Sequence, residues 1–301
     1  MYYILFTIFL LFFIIRRKKS TTWIKSQEDN YLSFFNKNDL QFRNCTSINN
    51  CKNNYINAEL QISPYEKDKI SKIIKNFNSL INHKFKFIFN NISIVKVNNN
   101  IESGMPHTRN KNIILSKNLL EQIIRSFINN PNDLKFPKLL SHEQFHIYQR
   151  YNQNEISKFY KNYWNMEKLN YRLPNELLNI NRTNPDALPN YNWLFRTNEC
   201  LILPLCLYSK NSTSLRDTQN IYIRLDNNHK FINLIDDLEN RKLLVDNKDF
   251  RNFFGDESAN NYHPNEISAS LFELIIEDII KRKNIKRSKG YNLLKKYLLE
   301  C

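Results

Sequence analysis

Hydrophobic and polar positions divide the chain into three stretches. Residues 1 to 15 are apolar apart from Thr7, and Arg16-Arg17-Lys18-Lys19 follow at once. Residues 20 to 65 are polar and asparagine-rich with aromatic punctuation, and read as including a linker. Beyond them the pattern becomes regular. Ile70, Ile73, Ile74, Phe77 and Leu80 recur at helical spacing and predict a helix over 66–82. Phe85, Phe87 and Phe89, then Ile92, Ile94, Val95 and Val97, alternate and predict strands over 84–98. A short strand is expected over 112–116, a helix over 119–127, a helix around Leu139 to Ile147 and another over 155–170. The pattern weakens between 171 and 260, where short strands are expected near 221–225 and 230–235. Two helices close the chain. The first follows Pro264, a residue suited to a helix start, and carries Ile267, Leu271, Leu274, Ile275 and Ile279 on one stripe.

The first stretch is short for a bilayer core, which takes about 20 helical residues with a lower limit near 17. Basic side chains that snorkel and a bilayer that thins can make up the difference. The charge follows the apolar run, and Ser20-Thr21-Thr22-Trp23 offers no small-residue cleavage site. An uncleaved anchor is expected rather than a signal peptide. The positive-inside rule then places the body of the chain on the cytoplasmic side, or inside the virion for a viral protein.

The segment expected to be helical around residue 142 reads His142-Glu143-Gln144-Phe145-His146, an H-E-x-x-H motif. Positions i and i+4 share a helix face, so two imidazoles can aim at one point, a good start to a zinc site. Glu143 can reach a metal-bound water without ligating the metal: zinc lowers the water's pKa and the carboxylate takes its proton. Two histidines packed by chance are the plainer alternative. A third protein ligand is needed. Gln149 and Asn152 stand where a metzincin carries Gly and His, which excludes that subclass. Glu167 lies near the distance of a thermolysin-like third ligand, but Tyr171 stands where the accompanying Asp would be. Glu266 is the better candidate. It falls in the first turn of the helix after Pro264, beside an apolar stripe, where a buried carboxylate is costly unless paired or metal-bound. A Glu that only complements the helix dipole fits the same position.

Four elements in order carry a resemblance: Met105-Pro106-His107-Thr108-Arg109, then the H-E-x-x-H motif, then Thr183-Asn184-Pro185-Asp186-Ala187, then His263-Pro264-Asn265-Glu266-Ile267. The chain resembles a poorly characterised family of zincin-like metallopeptidase-type proteins found in bacteria, protists and large DNA viruses, over roughly residues 100 to 280. The resemblance implies His142, His146 and Glu266 as ligands and hydrolase chemistry with no defined substrate. The interval from His146 to Glu266 exceeds that of a standard gluzincin. His107 could contact substrate or stabilise an oxyanion, or be a loop histidine with no role. Asp186 reads as turn chemistry or as a carboxylate orienting a ligand histidine. His263 reads as a helix-start residue or a group near substrate.

Composition changes this picture little. The net charge of +15 favours anionic partners, but Lys and Arg are spread along the chain, and no nucleic-acid signature appears beyond the charge. The 3 glycines are scattered, which excludes a phosphate-cradling glycine loop. Five cysteines without dense spacing do not suggest a disulfide framework, and the equal intervals Cys45/Cys51 and Cys200/Cys206 read as coincidence. The expectation is an α+β, zincin-like chain: an anchor with its basic flank at 1–19, a polar linker region at 20–65, and a metallohydrolase domain at 66–301. That domain would combine a small sheet, an active-site helix and a mainly helical C-terminal part. The expected function is a membrane-anchored, zinc-dependent peptidase acting on a peptide or protein. The alternative is an idle zincin-fold component of a virus particle, structural or membrane-associated.

Overall fold

The computed structural model describes residues 31–81, 85–89, 92–186, 192–256, 262–283 and 285–300. The expected anchor lies outside them. Among the described residues no helix is long and apolar enough to cross a membrane.

The stretch expected to include a linker is folded from Tyr31 onward. Helix α1 (Lys37–Phe42) starts at a capping box in which Asn36 and Asp39 each satisfy the other's backbone N–H. Helix α2 (Ile48–Asn57) is capped by Ser47. Cys45 and Cys51 form a disulfide across the start of α2, which corrects the reading of their spacing as coincidence. Cys200 and Cys206 are free. Tyr31, Phe35, Tyr55 and the disulfide pack on Val97, Ile101 and Ile114, so the polar surface pattern concealed a small core. The disulfide sits poorly with a cytosolic body, because reducing compartments keep thiols free.

Strand β1 (Glu59–Leu60) leads to α3 (Pro64–Leu80), opened by a Ser63–Glu66 capping box with proline at the first turn. The expected strand over the phenylalanines is a helical turn instead. Phe85, Ile88 and Phe89 are the buried residues, at i, i+3 and i+4, and Phe85 and Phe89 meet Phe272. Strand pairing begins only at β2 (Ser93–Val97), followed by β3 (His107–Arg109) and β4 (Asn112–Ser116). They form a mixed sheet in the order β1-β2-β4-β3, with β2 and β4 parallel and β3 at the edge.

Three helices follow: α4 (Lys117–Asn129), α5 (Lys135–Tyr151) and α6 (Gln153–Tyr163). The helix expected over 155–170 therefore ends early and gives way to β5 (Met166–Lys168). After the short α7 (Asn175–Leu178), strands β6 (Trp193–Arg196), β7 (Leu201–Tyr208) and β8 (Thr218–Leu225) complete a second, antiparallel sheet in the order β5-β6-β7-β8. Strand β7 is buried along its whole length, as its unbroken apolar run demands. The strand expected at 230–235 is a turn leading into α8 (Leu234–Glu239), which Asn233 caps. The chain closes with α9 (Lys248–Phe254), α10 (Pro264–Ile280) and α11 (Lys289–Glu300). The molecule is thus α+β, with a mixed and an antiparallel sheet. Helices α5 and α10 lie against each other, Phe145 stacked on Phe272 with centroids 4.7 Å apart.

Candidate metal centre

The α5–α10 contact brings the expected residues together. Phe145 points to the core and leaves His142 and His146 on one neighbouring face, ring centroids 4.7 Å apart. Glu266 comes from the first turn of α10, after His263 as N-cap and Pro264 at the first helical position. His142 Nε2 lies 3.5 Å from Glu266 Oε2, and His146 Nε2 lies 3.7 Å from Glu266 Oε1. One ligand atom from each of the three residues lies within 4.8 Å of the others, a group that could hold a metal ion.

The chain fixes the orientation of this group. Gln149 Nε2 donates to the Asn265 carbonyl at 3.0 Å and to Ser268 Oγ at 2.7 Å. A carbonyl only accepts, so the amide oxygen of Gln149 faces His146 Nδ1, at 2.9 Å. His146 therefore carries its proton on Nδ1 and presents the Nε2 lone pair to the cluster. Glu273, two turns along α10, stands 3.7 Å from His142 Nδ1 and so faces the ring nitrogen turned away from Glu266. Asn184 Nδ2 donates to Glu266 Oε1 at 2.6 Å. Sequence reasoning did not single out these three residues. Gln149 was detectable, lying three positions after His146 on the same helix face. Glu273 was too, lying seven after Glu266. Asn184 joins from a loop, where the sequence marked its Asn184-Pro185-Asp186 segment without assigning Asn184 a role.

The electrostatics follow from burial among carboxylates. Burial alone lowers His142, but Glu266, Glu273 and Glu143 hold it well above the ordinary histidine range. Burial keeps His146 below that range, against the pull of Glu266. Burial raises Glu266, yet the two imidazoles and the Asn184 amide bring it far below the carboxylate range. Glu143 goes the other way: burial, with Asp186 and Glu266 nearby, pushes it well up. Its Oε2 is buried with no hydrogen-bond partner among the described residues.

The other sequence candidates separate clearly. Glu167, the second choice for a ligand, stands on β5 outside the cluster, held by Arg196 at 2.9 Å and near His229. Asp186 does not orient a histidine. It accepts from the Thr108 N–H at 2.8 Å and from the Thr108 hydroxyl, and so occupies an outward donor of edge strand β3. Arg150 links both, donating to Thr108 Oγ1 at 2.8 Å and lying 3.7 Å from Asp186. His107 is buried on β3, its Nδ1 3.2 Å from the Met105 carbonyl and its Nε2 without a partner among the described residues. His263 serves the helix start, its Nδ1 accepting from the Asn265 N–H at 3.2 Å.

Two cavities share His146 and the strap Arg182 to Asp186 in their lining. A small one of about 360 Å³ contains the triad, Glu143, His107 and Glu102. A cleft of about 1320 Å³ opens beside His146. No protein-family model, curated protein or solved structure matches the chain.

Proposed function

We propose that the chain is a zinc-dependent hydrolase of the zincin type, acting as a peptidase. The observation that carries this reading is Glu143: a buried carboxylate, one oxygen of which has no partner among the described residues, beside a His142–His146–Glu266 group that converges on one point. A purely structural metal site has no need of such a residue. Two imidazoles and a carboxylate are the donor set of a catalytic zinc site with an open position, and both rings turn Nε2 inward, so the residues present fit the ion.

When bound, zinc would polarise the scissile carbonyl and acidify water. His142, His146 and Glu266 would hold it, oriented by Glu273, Gln149 and Asn184. Glu143, once ionised by that local positive charge, would take a proton from water and return it to the leaving amine. Glu266 cannot do both jobs, because its two oxygens face the two imidazoles and one accepts from Asn184. Residues 1–19 complete the proposal as a membrane anchor; the basic flank supports a body on the cytoplasmic or virion-interior side, and the Cys45–Cys51 disulfide counts against the cytoplasmic one of these two. Protease protection in sealed membranes tests that placement. The hydrolase reading is tested by zinc content and peptide cleavage in wild type and Glu143→Gln. Zinc bound by both, with cleavage only by wild type, is expected. Cleavage by the variant at the wild-type rate would overturn it.

A further inference from the structure

The large cleft has a distinct electrical character. Its described lining carries five cationic side chains, Arg109, Arg150, Lys168, Arg172 and Arg182, and a single carboxylate, Asp186. The chain as a whole has 44 basic and 29 acidic residues, so a five-to-one lining goes well beyond the background bias. The five come from β3, α5, β5, the loop after it and the strap, five separate segments converging on one space. Asp186 offsets little of this, since it already accepts two hydrogen bonds from Thr108 and lies beside Arg150.

Aromatic rings hold three of the cations in place, one of them Arg182, whose guanidinium lies 6.0 Å from the centre of the Tyr262 ring. The Arg109 guanidinium lies 3.7 Å over the Tyr31 ring, and the Lys168 amine lies 5.4 Å over Trp193. Burial lowers the Lys168 amine below its ordinary range. Cations set in a concave, low-dielectric wall focus their field on whatever enters. The volume of about 1320 Å³ exceeds the roughly 300–1,000 Å³ of small-molecule sites and suits a chain segment.

Resting on the hydrolase reading, we propose that the cleft selects acidic polypeptide, binding a segment rich in Asp and Glu next to the bond presented to Glu143. Nucleic acid would meet the same charges and would find Phe34, Tyr151 and Tyr171 exposed along the lining as stacking faces. The peptidase reading of the adjoining site is what favours polypeptide, and an oligonucleotide serves as the competing ligand in the test.

The test uses the full-length Glu143→Gln chain in detergent, with zinc content measured on the same sample. Fluorescence anisotropy compares labelled peptides of equal length that are Asp/Glu-rich, uncharged or Lys-rich, together with a single-stranded oligonucleotide. The acidic peptide should bind at least ~10-fold tighter than the other two, with the margin shrinking as salt screens the field. Lys168→Glu combined with Arg172→Glu should remove the preference while zinc stays bound. Should that variant fail to fold, Lys168→Gln with Arg172→Gln should reduce the preference in the same direction. Equal binding of the three peptides, a preference that survives the substitutions, or an oligonucleotide that displaces the acidic peptide overturns the inference. Zinc present without acidic preference sinks the inference alone. Acidic preference in a chain that binds no zinc sinks the hydrolase reading and leaves the acidic-peptide cleft standing.

Discussion

Two buried carboxylates line the same small cavity and are treated in opposite ways. Glu102 is fully answered. Arg43 donates to both its oxygens at 3.1 and 3.2 Å, and Tyr31 and Tyr55 donate to one of them. Burial raises its pKa, but the Arg43 charge, with His107 and Arg109, brings it down to about 2. Glu143 has an oxygen with no partner among the described residues, other acids around it, and a pKa pushed up. Saturating a buried charge makes an anchor, and leaving it unsaturated makes a reactive group. The anchor here carries strain: Glu102 and Ser103 both adopt the left-handed region, at φ 46° and 52°. That conformation costs on the order of 1–3 kcal/mol per residue and persists only where the surroundings overdetermine it. The Arg43 network does so, tying the disulfide-bearing N-terminal segment to Glu102 and to the Thr183 carbonyl of the strap.

The largest expected effect falls on the saturated side. Arg43→Ala removes the buried ion-pair partner of both Glu102 and Asp39, leaving them with mainly neutral donors, and should cost about 3–5 kcal/mol in chemical denaturation. The same network should give stability an acid limb. The folded pKa of Glu102 lies below its unfolded value near 4.5, so its contribution is complete above that pH and lost as pH falls towards 2. Glu102→Gln should flatten that part of the profile; an unchanged acid limb would show that the network is not its source.

On the unsaturated side, Glu143→Gln should cut peptide cleavage at least ~100-fold without lowering thermal stability, since it removes a carboxylate whose burial is disfavoured. A clear fall in melting temperature would mean that Glu143 is an anchor after all. Smaller effects belong to the orienting groups. Gln149→Ala and Glu273→Ala should each weaken metal affinity by ~10–100-fold, the usual weight of such partners, as read by competition with a chelator. Glu167→Ala should leave affinity unchanged, and a loss there would move the third ligand to β5.

Of the candidate ligands, the histidine pair was legible because local spacing determined it, while Glu266 was preferred through the four-element resemblance. The i, i+4 pair places His142 and His146 together whatever the tertiary fold, and Pro264 marks the helix that carries Glu266. Helices α3, α4, α5 and α10 and strand β4 were visible for the same reason. Two kinds of feature were not. Strand β7 is apolar on both faces and shows no alternation, so most of the second sheet was missed. The Phe85–Phe89 segment satisfies both an alternating and a helical pattern, and packing against Phe272 favours the helical one. Contacts between distant loops, such as Asn184 with Glu266 or Arg43 with Glu102, carry no periodicity and emerge only from the fold.

The central claim is that His142, His146 and Glu266 form one metal centre, and elemental analysis of the purified full-length chain tests it most directly. About one zinc per chain is expected at neutral pH, lost in His146→Ala and in Glu266→Ala and retained in Glu102→Gln. A wild-type chain without metal, or a Glu266→Ala chain that keeps its full complement, would contradict it.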